Sequence, residues 1–170
     1  MSVISVEKDF DSLSLILVAE FEAPVERVWE LWADPRQLER WWGPPSHPAT
    51  VKRHDLAVGG EVSYVMTGPG GEQSRGWWRV TSVNPPTSLE FIDGFANQDG
   101  TPNADTPTTA VQLRLSEHAG GTRMQLRFVF DSREDMRQAE RWGTFEGIPQ
   151  SVGQMDAVLA SGDARGSNLP

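Results

Sequence analysis

The side chains that could do chemistry are few, and they are scattered along the sequence. The chain has three histidines (His47, His54 and His118), one tyrosine (Tyr64) and no cysteine. No two histidines have the i, i+2 or i, i+4 spacing of neighbouring metal ligands, and no acidic residue completes a metal triad. Without cysteine there is no thiol nucleophile, disulfide or zinc knuckle. The sequence therefore predicts no metal site, no cofactor and no catalytic residue set.

Carboxylates on strands could serve acid–base catalysis only if they faced an enclosed site. Glu61 and Glu90 lie in predicted strands, but the alternation of side chains places both opposite the apolar faces. His54 lies on a predicted strand and could face a cavity. His47, in a proline-rich segment, and His118, in a predicted hairpin turn, are expected to be solvated. This pattern favours a non-catalytic function.

Composition and charge narrow the classes of partner. The chain has 170 residues, with 24 acidic and 15 basic side chains and a net charge of −9. Nucleic-acid binders normally present a basic face, and anionic membrane surfaces also attract basic proteins. The sequence has no stretch of 18 apolar residues and no signal-peptide pattern. We expect a cytoplasmic protein that binds neither nucleic acid nor membrane, and the sequence is compatible with both a monomer and a homodimer.

Large aromatic side chains are far more abundant than reactive ones. Six of the seven tryptophans occur in the short stretches WELW, RWW and GWW. Trp29 and Trp32 share the apolar stripe of a predicted helix, so both are expected in the core. Trp42 precedes a proline-rich break, and Trp78 shares a strand face with Val80. For these two residues the sequence leaves two interpretations open: they line a cavity or they fill the core.

Periodicity predicts the elements that position these residues. Residues 12–21 alternate as a strand and are followed by two short helices before Gly43. A long helix begins at the capping signature of Ser132, is expected to bend near Gly147–Pro149 and ends at about Ala160. Residues 161–170 are expected to form a disordered tail. Turn residues separate six further strands of a mostly antiparallel sheet, at about 49–55, 60–67, 75–83, 88–93, 108–117 and 121–130.

Five stretches of the sequence occur in an order typical of a known superfamily: FEAPVERVWELWADPRQLERWWGP, a GG before a strand, NPPTSLEF, GGTRMQLRFVF and WGTFEGIPQSVGQMDAVLA. With the order of the predicted elements, they resemble the START-like helix-grip (SRPBCC) superfamily. The resemblance covers residues 10–160 and is closest to the branch named after the C-terminal domain of activators of the heat-shock protein 90 ATPase. It implies an α+β fold and a single domain over residues 1–160. In this fold a curved antiparallel sheet of about seven strands wraps around a long C-terminal helix.

The resemblance also implies a hydrophobic cavity between the long helix and the sheet. Alternation along the strands and helical spacing then predict the side chains that line this cavity and contact a ligand. If Tyr64 is buried, its hydroxyl needs a partner, which is either a core group or a ligand oxygen. The predicted ligand-binding residues are Trp42, Tyr64, Met66, Trp78, Phe91, Phe128, Ile148, Val152 and Met155.

Three functions are compatible with the resemblance, because this fold does not fix function. The favoured hypothesis is non-catalytic binding of a small apolar or amphipathic molecule in the cavity. The alternative is a cyclase-like or hydrolase-like enzyme in which His54 or Tyr64 acts as acid or base. A co-chaperone-like protein-interaction domain, which the name of the branch implies, is favoured least.

Overall fold

Alternating apolar and polar side chains build one curved antiparallel sheet. The computed structural model describes residues 3–167. Neighbouring strands are all antiparallel, and their order across the sheet is β1-β2-β8-β7-β6-β5-β4-β3. The strands of the described chain are β1 (Val3–Asp9), β2 (Ser14–Phe21), β3 (Ala49–His54), β4 (Glu61–Thr67), β5 (Gln73–Asn84), β6 (Ser88–Phe95), β7 (Thr109–His118) and β8 (Gly121–Phe130).

Five helices complete the described fold. Two follow β2, namely α1 (Val25–Ala33) and α2 (Pro35–Leu38), as the sequence predicts. Three follow β8: α3 (Arg133–Arg141), α4 (Thr144–Gly153) and α5 (Met155–Ser167). The predicted cap at Ser132 is present, since its hydroxyl accepts a hydrogen bond from the Asp135 backbone N–H at 3.0 Å. None of these helices is both long and apolar enough to cross a bilayer.

The predicted α+β class is confirmed, but the sheet has eight strands rather than about seven. The missed strand is β1, which pairs with β2 at the edge of the sheet. Its apolar side chains Ile4 and Val6 remain 50% and 39% exposed. The sequence of β1, VISVEKD, gives neither face of the strand a fully apolar set of side chains, in contrast to residues 12–21, so the signal for a strand is weak here.

The predicted long C-terminal helix is divided into three segments, and neither interruption lies at Pro149, near which a bend was expected. α4 continues through Pro149, which removes only one backbone hydrogen bond. The interruptions lie instead at Gly143, whose φ of +79° is left-handed, and at Gln154, whose N–H bonds to Ser151 O. α5 extends past the predicted end at Ala160, and the final residues of the predicted disordered tail, 168–170, lie outside the described part of the chain.

The core is dominated by a tryptophan cluster, consisting of Trp32, Trp41, Trp42, Trp78 and Phe91. Trp78 stacks on Phe91 with ring centroids 3.9 Å apart, and Trp42 stands edge-on to Trp78 at 4.9 Å. Trp32 and Trp41 are also edge-on, at 4.7 Å. These are the geometries that aromatic quadrupoles favour, so the cluster is a rigid support for the residues in front of it.

Candidate functional site

A pocket of about 380 Å³ lies between α4 and the concave face of the sheet. This volume is in the range of sites that hold small molecules. Most of its wall is apolar. Its aromatic lining residues are Trp41, Trp42, Tyr64, Phe95, Phe128, Phe130 and Trp142, and its aliphatic ones include Met66, Leu126, Ile148 and Val152.

Six of the predicted ligand-binding residues line this pocket: Trp42, Tyr64, Met66, Phe128, Ile148 and Val152. The structure corrects the predicted position of the other three. Trp78, Phe91 and Met155 lie in the core, with exposures of 0%, 1% and 0%. The Trp42 ring packs edge-on against Trp78, so the pocket wall is Trp42 and Trp78 lies one layer deeper.

The single tyrosine forms the main polar feature of the pocket. The Tyr64 hydroxyl donates a hydrogen bond to Asp93 Oδ1 at 2.8 Å. The two residues are on β4 and β6, so the phenol ring crosses the intervening strand β5. It does so at Gly76, which is opposite Tyr64 in the strand register and where any Cβ would collide with the ring. The partner of the tyrosine hydroxyl is therefore a carboxyl group of the protein.

Asp93 is held in a form that can exchange a proton near neutral pH. Burial raises the pKa of its carboxyl to about 7, and the hydrogen bond from Tyr64 opposes this rise. The side chain is partly exposed, and the surface it exposes faces a pocket whose wall is mostly apolar. Burial, followed by the Asp93 charge, raises the pKa of Tyr64 well above its usual range. Groups with shifted pKa values in a cleft are typical of functional sites.

Asp93 was missed in the sequence analysis, although a signal for it was present. Leu89 and Phe91 are inward-facing, and the same alternation continues to Asp93. The two other strand carboxylates, Glu61 and Glu90, do face away from the apolar side. An acidic residue in register with two buried apolar residues indicates a carboxyl group directed into the core or a cavity.

The histidines contribute little to the pocket. His54 Nε2 lies 3.0 Å from Trp32 O, so the structure places His54 against the backbone and not in the pocket. His118 Nε2 lies 3.0 Å from Glu20 Oε2 at the surface of the protein. His47, which was expected in solvent, lines the pocket and has its Nδ1 2.7 Å from Ser46 Oγ. Within residues 3–167 no cluster of three or more histidine or acidic side chains could hold a metal ion.

Replacing Gly76 by alanine is expected to lower the free energy of unfolding by about 1–3 kcal/mol, because the new methyl group overlaps the Tyr64 ring. Urea denaturation measures this cost. The control is the same substitution in a Tyr64→Ala background, where the ring is absent and the added cost should nearly vanish. Equal costs in the two backgrounds would show that the ring does not occupy this position.

The Asp93→Asn variant is expected to become relatively more stable as the pH rises. The native pKa of about 7 lies above the ordinary value of 3.8, so between these values unfolding releases a proton and rising pH destabilises the wild type. Asparagine does not titrate. Comparing the free energies of unfolding at pH 5 and pH 8 should show the difference shifting toward the variant, by at most about 3 kcal/mol. A difference independent of pH would contradict the raised pKa.

Comparison with known proteins relates this fold and pocket to a family. The family model described as "Activator of Hsp90 ATPase homolog 1-like protein" matches residues 22–160. The crystal structure of protein Ms6760 from Mycobacterium smegmatis is 48% identical, with a TM-score of 0.85, over 92% of this chain and 96% of that one. No match was found among curated proteins.

Two further structures agree with this result. The solution structure of a protein from Arthrobacter aurescens is 46% identical over 94% of this chain and 93% of that one, with a TM-score of 0.90. A solution structure from Staphylococcus epidermidis, 23% identical over 93% and 94% of the two chains, has a TM-score of 0.81 and shows the fold alone. The match over residues 22–160 and the shared START-like fold show that this chain belongs to the family of Activator of Hsp90 ATPase homolog 1-like proteins.

Proposed function

We propose that this protein binds a small apolar or amphipathic molecule, without changing it chemically, in the pocket between α4 and the sheet. One observation carries the proposal: a pocket of about 380 Å³ combines an aromatic and aliphatic wall with a few polar groups. Such a combination is typical of small-molecule sites, in which the apolar wall provides affinity and the polar groups fix orientation.

The ligand would lie between two walls. Tyr64, Met66 and Phe128 form the sheet side, and Ile148 and Val152 form the α4 side. Trp42, a member of the tryptophan cluster, forms one end of the pocket and packs against Trp78 behind it. Because the rings of the cluster hold one another in place, this side of the pocket loses little conformational freedom on binding.

The charge of the chain also supports this proposal over others. The net charge is −9, whereas proteins that bind nucleic acids or anionic membranes usually have an excess of basic side chains. A small molecule is therefore the partner that the pocket and the charge support together, and a cytoplasmic location stays part of the proposal.

The experiment is a titration of the wild-type protein with N-phenyl-1-naphthylamine, an uncharged dye that fluoresces in apolar surroundings. We expect saturable binding with one site per chain while thermal unfolding remains cooperative. A non-saturating increase, or no increase, would overturn the proposal, because the pocket would then be closed to an apolar molecule of suitable size.

The second candidate is an enzyme that acts in the same pocket. The observation in its favour is the Tyr64–Asp93 pair, a carboxyl with a pKa of about 7 hydrogen-bonded to a phenol at 2.8 Å. Such a carboxyl is suited to general acid–base catalysis at neutral pH. The two functions differ in one readout: an enzyme would release a changed molecule, and Asp93→Asn would abolish turnover while sparing binding.

A further inference from the structure

We infer that the molecule bound in this pocket is an organic cation, namely an amine with an apolar body whose ammonium group binds the Asp93 carboxylate. This inference rests on the proposed function and names the class of its ligand. Three observations support it: the charge of the pocket wall, the hydrogen-bond acceptors close to Asp93 and the aromatic rings around that residue.

The charged groups of the pocket are arranged in favour of a cation. Asp93 is directed into the pocket and makes no ion pair with any of the described residues. Arg75 also lines the pocket, but alternation along β5 turns its side chain to the outer face, where Nη2 donates to Gln73 Oε1 at 3.3 Å. His47 lines the pocket from the 43–48 segment, with its Nδ1 engaged by Ser46.

The elements that face Asp93 add no compensating positive charge. On β4 the titratable side chain that faces the pocket is Tyr64, which is neutral, while Glu61 lies on the opposite face beside Arg53 and Arg79. The residues that α4 contributes to the pocket are uncharged: Thr144, Gly147, Ile148, Ser151 and Val152. An ionised Asp93 would therefore lack a cationic partner in the described part of the chain, and a ligand cation would supply one.

Hydrogen-bond acceptors converge at the same point. Tyr64 engages Asp93 Oδ1, while Oδ2 has no hydrogen-bond partner among residues 3–167. Thr109 on β7 is directly opposite Asp93 in the strand register and lines the pocket beside it. A primary ammonium group has three N–H donors, so Asp93 Oδ2 and the Thr109 hydroxyl could accept two of them.

Aromatic rings surround this point. Tyr64 is in contact with Asp93, Phe95 follows it on the same strand face, and Phe130 is opposite Thr109. At the mouth of the pocket the Phe95 ring stands edge-on to Trp142, with centroids 5.5 Å apart. Rings around a single carboxylate are well suited to an organic cation, because the negative face of each ring attracts positive charge.

The experiment compares three molecules that share one apolar body: 4-phenylbutylamine, 4-phenylbutanol and 4-phenylbutyrate. Calorimetric titration of the wild type at pH 8 should show the amine binding at least about tenfold more tightly than the alcohol, as a charge-assisted hydrogen bond predicts. The carboxylate should bind most weakly. At pH 6 the preference for the amine should shrink, because the amine stays protonated while Asp93 takes up a proton.

Two variants locate the preference. Asp93→Asn should bind the amine and the alcohol equally. Glu117→Gln removes the same charge from the exposed far end of β7 and should leave the tenfold preference intact. If Asp93→Asn does not fold, the wild type still tests the role of Asp93, because an amine preference that is unchanged between pH 8 and pH 6 would overturn the inference.

The outcomes separate this inference from the function on which it rests. Equal binding of amine and alcohol, or tightest binding of the carboxylate, would overturn the inference that the ligand is a cation. The proposed binding of a small molecule in the pocket would still stand. A preference for the amine that survives Asp93→Asn would also overturn the inference. Failure of all three molecules, and of the uncharged dye, would overturn the proposed function together with the inference.

Discussion

Replacing Trp78 by alanine is expected to lower the free energy of unfolding by about 3–5 kcal/mol. The side chain is fully buried, stacks on Phe91 at 3.9 Å and supports Trp42 at 4.9 Å. Its removal would leave a cavity in the middle of the tryptophan cluster. The neighbouring rings could not move in to fill this cavity, because they hold one another in place.

Urea denaturation of the variant measures this loss, and Trp142→Ala is the matched control. Trp142 is also a tryptophan beside the pocket, but it is 52% exposed, so its truncation should cost about 1 kcal/mol or less. If Trp78→Ala does not fold, Trp78→Phe should still be destabilised relative to the wild type. A cost of Trp78→Ala below about 2 kcal/mol would mean that this ring faces open space, contrary to the structure.

Replacing Gly147 by phenylalanine is expected to weaken binding of the uncharged dye by about tenfold or more. Gly147 is on the face of α4 that lines the pocket, and a Cβ built there meets no atom within 4 Å. A phenyl ring at this position would therefore occupy the space of a ligand. Relieving such an overlap costs about 1–3 kcal/mol, which corresponds to roughly 5-fold to 150-fold in affinity.

The control is Gly153→Phe, at the end of the same helix. Gly153 also has free space around its Cβ, but it is exposed and is not part of the pocket wall. Both variants gain helix propensity relative to glycine, so neither should lose stability for that reason. Equal dye affinities for the two variants would show that the dye binds elsewhere on the protein.

The sequence correctly predicted which side chains of the sheet point inward. It did not predict which of these side chains reach the pocket and which are buried beneath another layer. Alternation shows that Trp78 and Phe91 point inward, and they do. It cannot show that Trp42, from a segment far away in the sequence, packs in front of Trp78 and separates it from the pocket. Such layering depends on tertiary packing, so only part of the predicted site lines the pocket.

Two other features could not be predicted from local sequence patterns: the Tyr64–Asp93 hydrogen bond and the position of the break between α3 and α4. The Tyr64–Asp93 hydrogen bond joins residues 29 positions apart across a strand that neither belongs to, although alternation alone would have indicated Asp93 as inward-facing. The break between α3 and α4 depends on the left-handed backbone of Gly143, while Pro149, the stronger sequence signal, is accommodated inside α4.

The indole N–H signals of the seven tryptophans give the most direct test of the binding pocket. Trp42 lines the pocket, whereas Trp29 on α1 is outside it. Titration of ¹⁵N-labelled protein with 4-phenylbutanol should move the Trp42 signal to a saturating value and leave the Trp29 signal in place. A Trp42 signal that stays fixed up to the solubility limit of the alcohol would contradict the account.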